Sequence, residues 1–246
     1  MSSIFTAASS GNLAAVQGFI ASGADLDAGG DKGWTALYLA SRGDHLEVVN
    51  ALLAAGADKN KANNNGTTPL IIAIQEGDKW VVNALLAAGA DKNKANNNGS
   101  TPLIIASQKG GLEIVNALLA AGADENKANN NGATPLSIAS SRGYIPIVIA
   151  LLEAGAKLTI PAFQGISVWE RARTGAFTPQ INEIILEYGY ISNEPLTNAN
   201  IAEINAAKAA GVPWRRERKT NGEGMRRYRK TRTLRKKKRS TRRVVN

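Results

Sequence analysis

Cysteine is absent from all 246 residues. Disulfides, thiolate metal sites and thiol nucleophiles are therefore excluded, and the composition suits a reducing compartment. Histidine occurs once, at His45, so no metal cluster can be built on imidazoles. Any Ser-His-acid arrangement would have to use that one ring, and no Gly-x-Ser-x-Gly elbow surrounds a serine. Aromatic residues make up only 5% of the chain, so its core has to be aliphatic. No apolar run approaches the roughly 18 residues of a membrane span. The first residues, Met1 to Phe5, carry no basic region, so no secretory leader is expected and the expected location is intracellular, cytoplasmic or nuclear.

What is present is unevenly spread. Arg215 to Asn246 holds 16 Lys/Arg and 2 Asp/Glu, whereas Met1 to Trp214 holds 14 Lys/Arg and 18 Asp/Glu. A mildly acidic body thus carries a strongly basic tail, and the two parts are expected to do different things.

The body repeats itself. Asn50 to Gly66 reads NALLAAGADKNKANNNG, Asn83 to Gly99 reads the same, and Asn116 to Gly132 differs only at Glu125. Gly33, Gly66, Gly99, Gly132 and Gly165 mark one point of five successive units, 33 residues apart. Within a unit, a turn such as Asn65-Gly66 precedes Thr68-Pro69-Leu70, where Thr suits a helix N-cap and Pro the first helical position. Gly77 should end that helix. Val81, Val82, Leu85 and Leu86 then give a second helix one apolar stripe, with Gly89 as its stop. One unit cannot bury such a stripe, but stacked units can.

The spacing and the Gly-x-Thr-Pro-Leu…Gly-Ala-Asp pattern resemble the ankyrin repeat. The likeness is strong over Gly66 to Asn98, Gly99 to Asn131 and Gly132 to Ala156, and good over Gly33 to Asn65, where Thr35-Ala36-Leu37 replaces Thr-Pro-Leu. It implies an all-α solenoid of helix-turn-helix units with short β-turn or hairpin loops. Residues 1–32 would form an N-terminal cap, 33–164 four repeats, and 165–190 a degenerate last repeat with Ser167-Val168-Trp169 in place of Thr-Pro-Leu. A linker with a short helix would follow at 191–214, and a disordered basic tail at 215–246. Where the family carries His after Thr-Pro-Leu, this chain has Tyr38, Ile71, Ile104 and Ser137; its turns are expected to be less tightly cross-linked. His45 falls where the family often has a histidine, just after the first helix. Asn65-Gly66-Thr67 and Asn98-Gly99-Ser100 match a glycosylation acceptor, but the repeat itself calls for Asn-Gly at these turns.

The resemblance implies a non-enzymatic protein that needs no cofactor and binds another protein through its turns and inner helices. Carried over by position, the candidate surface is Asp31, Lys32, Trp34 and Arg42, then Asn64, Asn65, Thr67, Gln75 and Glu76. It continues with Asn97, Asn98, Ser100, Gln108 and Lys109, and ends with Asn130, Asn131, Ala133, Ser141 and Arg142. Trp34 reads as an interface anchor or as packing on a neighbouring turn. Trp80, whose repeat-mates are Glu47, Glu113 and Pro146, is expected to face outward, as a second contact or as a cover for the Lys79 stem. A surface cut for one partner would differ from turn to turn, so three identical Asn-Asn-Asn tips fit a spacer as well as a binding site. The tail, including Arg226, Arg227, Arg229, Lys230 and the run Arg235, Lys236, Lys237, Lys238, Arg239, has three readings: a solvated arm, a signal for an import receptor, or a nucleic-acid-binding arm. The alternative function is accordingly a nucleic-acid-binding or packaging protein whose tail supplies the affinity. In composition, repeats joined to a Lys/Arg/Thr/Ser-rich end also resemble ankyrin proteins of large DNA viruses.

Overall fold

A computed structural model describes residues 3–160 and 165–191. Two compact units divide the chain, Met1–Asn182 and Glu183–Asn246. Of the second, only a helical stretch up to Ile191 is described.

Helices come in pairs, one per repeat. They are α1 (Ile4–Ser9) with α2 (Leu13–Ala21), α3 (Ala36–Arg42) with α4 (Leu46–Ala54), and α5 (Pro69–Glu76) with α6 (Lys79–Ala87). Then come α7 (Pro102–Lys109) with α8 (Leu112–Ala120), α9 (Pro135–Arg142) with α10 (Ile145–Glu153), and α11 (Val168–Arg173) followed by α12 (Pro179–Ile191). The first helices pack in series, α1 on α3, α5, α7, α9 and α11 in turn; α2, α4, α6, α8 and α10 form a second row. Among the described residues there is no strand. The molecule is the expected all-α repeat solenoid.

The repeat motif sets each boundary. Thr68 accepts the amide of Ile71 and so caps α5, while Pro69 stands at a position whose N–H has no helical partner anyway. Thr35, Thr101 and Thr134 cap α3, α7 and α9 in the same way. In the last repeat Ser167 takes over, and Glu170 reaches back to it in a capping box. Hydrogen bonds from the Ser167 amide and hydroxyl hold the Glu170 carboxyl below the usual carboxylate range.

The core is aliphatic. Leu37, Leu70, Leu103 and Leu136 occupy one register of the first helices, Leu52, Leu85, Leu118 and Leu151 one register of the second, and all eight are fully buried. Each contributes about 1.5–3 kcal/mol relative to exposure. Ser41, Ser107 and Ser140 share the buried register of Ile74, and their hydroxyls find no hydrogen-bond partner.

The turns are cross-linked without the family histidine, and asparagine does it. Asn97 and Asn130 donate their backbone amides to the carbonyls of Asn65 and Asn98, both at 3.1 Å. Their side-chain Nδ2 groups donate to Asn64 O and Asn97 O, both at 3.0 Å. A second ladder runs 31 residues apart: Asn60, Asn93 and Asn126 accept the amides of Asp91, Asp124 and Lys157 at 2.8, 2.9 and 2.8 Å. Within each turn Asn63, Asn96 and Asn129 accept two amides apiece through Oδ1. The positions that lack the family histidine are all buried: Tyr38, Ile71 and Ile104 pack in the interior, and Ser137 bonds back to Thr134 in the capping box of α9. The lone histidine adds one more tie: His45 Nε2 donates to Ser9 O, 3.0 Å away in the preceding repeat.

Two predictions follow the packing. Gly99 and Gly143 both have positive φ, 73° and 80°. A Cβ on Gly143 meets nothing, whereas one on Gly99 would stand 2.7 Å from the Asn130 amide nitrogen. Gly143→Ala should therefore cost only left-handed strain, about 1–2 kcal/mol, and Gly99→Ala clearly more, measured by urea unfolding. Ser107→Ala removes an unpartnered buried hydroxyl and should raise stability by about 1 kcal/mol in the same assay.

Candidate partner-binding surface

The C-terminal ends of the first helices and the turns beside them carry the candidate residues. The structure gathers six of these into one place. Gln75 at the end of α5, Gln108 and Lys109 at the end of α7, and Arg142 at the end of α9 line a shallow groove of about 450 Å³ with Asn98 and Ser100 of the intervening turn. Asn96 and Ile105 complete the lining. Asn96 was not a candidate; in the structure its Oδ1 works within the turn, accepting the amides of Asn98 and Ser100 at 3.0 Å each. The six candidate side chains make no hydrogen bond or ion pair among the described residues. They are therefore open to a ligand's polar groups.

A second set gathers around Trp34. Its ring stacks on that of Tyr38, with centroids 5.9 Å apart and planes 7° from parallel. Lys32 Nζ lies 5.2 Å and the Arg42 guanidinium 5.1 Å from the Trp34 ring centre. Trp34 is half-buried and packs on its own repeat's first helix. Burial raises the pKa of the Tyr38 phenol, offset in part by the Arg42 charge and by the Asn63 side chain. Asp31 is exposed at the tip of the same turn.

Two candidates are corrected. Thr67 is only 8% exposed and Ala133 1%. Both sit beneath the turn, where each donates its amide to an asparagine Oδ1, that of Asn63 or Asn129, and neither offers a side chain to a partner. Asn64, Asn97 and Asn130 are exposed, yet the last two are tied into the turn ladder through their side chains. Asn65, Asn131, Glu76 and Ser141 are exposed. Trp80 does face outward, at 63% exposure, with Lys79 Nζ 5.3 Å above its ring. Lys79 also pairs with Glu113 of the next repeat at 2.9 Å. The tail candidates, Arg226 to Arg239, lie outside the described residues, as does the helix expected within 191–214.

Away from the groove, one electrostatic feature was not foreseen. In α5, α7 and α9 a left-handed glycine ends the helix. The first full repeat has Asp44 in that register, at φ 60°. Its carboxyl meets that of Asp78, which caps α6 by accepting the amides of Trp80 and Val81. The hydrogen bond between the two carboxyls raises the Asp44 pKa. A raised carboxyl favours the fold below the ordinary carboxylate range, and that contribution is lost as pH climbs through the raised value. Asp44→Asn should therefore be more stable than wild type at neutral pH, and the gain should shrink in acid; thermal unfolding at both pH values reads it.

No group of three or more His, Cys, Asp or Glu that could hold a metal ion occurs among the described residues. No helix among them is long and apolar enough to cross a membrane. A family model described as ankyrin repeats, in three copies, matches residues 4–96 and 88–162. No curated protein matches the chain.

Proposed function

Because this chain belongs to the ankyrin-repeat family, whose repeats are generally protein-interaction modules, we propose that it is a non-enzymatic scaffold that docks another protein along the ends of its first helices. One observation carries the reading: six polar side chains converge on one groove and none of them is used internally. Exposed polar side chains are bonded to water when free, and these six, brought together from three successive first helices and the turn between them, can exchange that water for the polar groups of a partner. The Trp34 stack, with Lys32 and Arg42, is a secondary contact at the N-terminal end of the same face. In this reading the uniform asparagine tips act as spacers except where Asn98 also lines the groove, and the tail from Arg215 localises or anchors the scaffold in the cytoplasm or nucleus.

The tail's 16 Lys/Arg support a second reading, in which it binds nucleic acid and the repeats only present it. A full-length variant with the tail cations replaced by Gln separates the two. Under the scaffold reading, the tail variant still captures the wild-type set of cross-linked proteins, and Gln75→Ala/Gln108→Ala/Arg142→Ala loses it with unchanged thermal unfolding. If the triple variant captures the same proteins as wild type, the groove assignment is wrong. If only the tail variant loses them, and with them a salt-sensitive affinity for duplex or single-stranded nucleic acid, the second reading holds.

A further inference from the structure

We infer that the groove takes an extended, acidic peptide segment of the partner, with carboxylates seated on Lys109 and Arg142; this rests on the docking reading above. Of the residues lining the groove, Ile105 alone is apolar and none is aromatic. An amphipathic helix needs a row of apolar pockets and a proline-rich segment needs aromatic walls, so neither finds its anchor here. Gln75, Gln108 and Asn98 instead offer paired donors and acceptors, the complement of an extended peptide backbone.

Charge then selects the side chains. Glu76, Lys109 and Arg142 occupy one register of three successive first helices, spaced 33 residues apart. Packed helices stand about 8–10 Å apart, so two cations lie side by side, and neither has an ion-pair partner among the described residues. A carboxylate between them relieves their repulsion. The chain's own tail, with 16 Lys/Arg against 2 Asp/Glu, has the wrong sign to do this. Glu76 sits at the end of α5, beside Gln75, and would oppose a ligand charged negatively along its whole length. That favours a peptide with an acidic block on the α7–α9 side over a phosphate chain.

The probe is a fluorescein-labelled peptide of Glu, Asp and Ser carrying a benzophenone, with a Lys-for-Glu peptide and a single-stranded oligonucleotide as comparisons. In the full-length protein, its cross-links should fall within residues 96–109 and at Arg142, and should survive replacement of the tail cations by Gln. Lys109→Glu combined with Arg142→Glu should weaken groove binding by about tenfold or more, with unfolding unchanged. Cross-links confined to the tail, indifference to the double reversal, or equal groove labelling by the Lys peptide or the oligonucleotide would each overturn the inference. If the acidic peptide fails while the triple alanine variant still loses its captured proteins, the docking reading stands and only the ligand's chemistry is wrong.

Discussion

A helix pair of this size has an apolar stripe that it cannot cover by itself. Leu85 on α6 and Leu70 on α5 are fully buried only because α4, α8, α3 and α7 lie against their helices. Nearly every other feature serves that one requirement. Thr-Pro starts α5, α7 and α9 at a fixed point, a left-handed glycine ends them, and alanine keeps neighbouring backbones close. With aromatics at 5% of the chain, the interior depends on repeated small aliphatic contacts rather than on a few large anchors.

Stacking also forces the turns into register, and the asparagines exploit it. In the repeats that end at Asn98 and Asn131, one asparagine closes its own turn, one bonds the turn before it, and one holds the backbone of the loop after it. This division of labour leaves the helix ends free of structural duties. Gln75, Gln108, Lys109 and Arg142 can differ from repeat to repeat without disturbing the stack. Identical tips and varied helix ends are thus two sides of one arrangement, the first fixing geometry and the second, together with Asn98, carrying recognition.

The fold was legible because its determinants are local. Thr68, Pro69 and Gly77 announce a helix start and stop within a few residues, and the 33-residue period needs no structure to be seen. Six of the groove's eight lining residues were legible for the same reason, as register positions within the repeat. What escaped the sequence depends on partners tens of residues away. Nothing around Asn97 says that its side chain will meet Asn64 O, and nothing around Thr67 says that it lies beneath the turn rather than on it. Trp34 could be read as an anchor or as packing on a neighbouring turn, and neither reading named Tyr38, four residues on, which lies flat against it. Asp44 was passed over because a single aspartate in a glycine's register reads as ordinary variation, and its neighbour Asp78 comes from the next repeat.

The turn hydrogen bonds reach into the chemistry of the chain itself. Asn65-Gly66, Asn98-Gly99 and Asn131-Gly132 are the dipeptides most given to spontaneous deamidation, in which the glycine nitrogen attacks the asparagine carboxamide, ammonia leaves, and a cyclic imide opens to aspartate or isoaspartate. Here each of those nitrogens is already occupied: Gly66, Gly99 and Gly132 donate to the carbonyls of Asn63, Asn96 and Asn129 at 2.9 Å. The nucleophile is held by the very bond that shapes the turn. Chemical ageing at these three steps is therefore governed by how often a turn opens, and an exposed Asn-Gly tip can persist for as long as its repeat stays stacked.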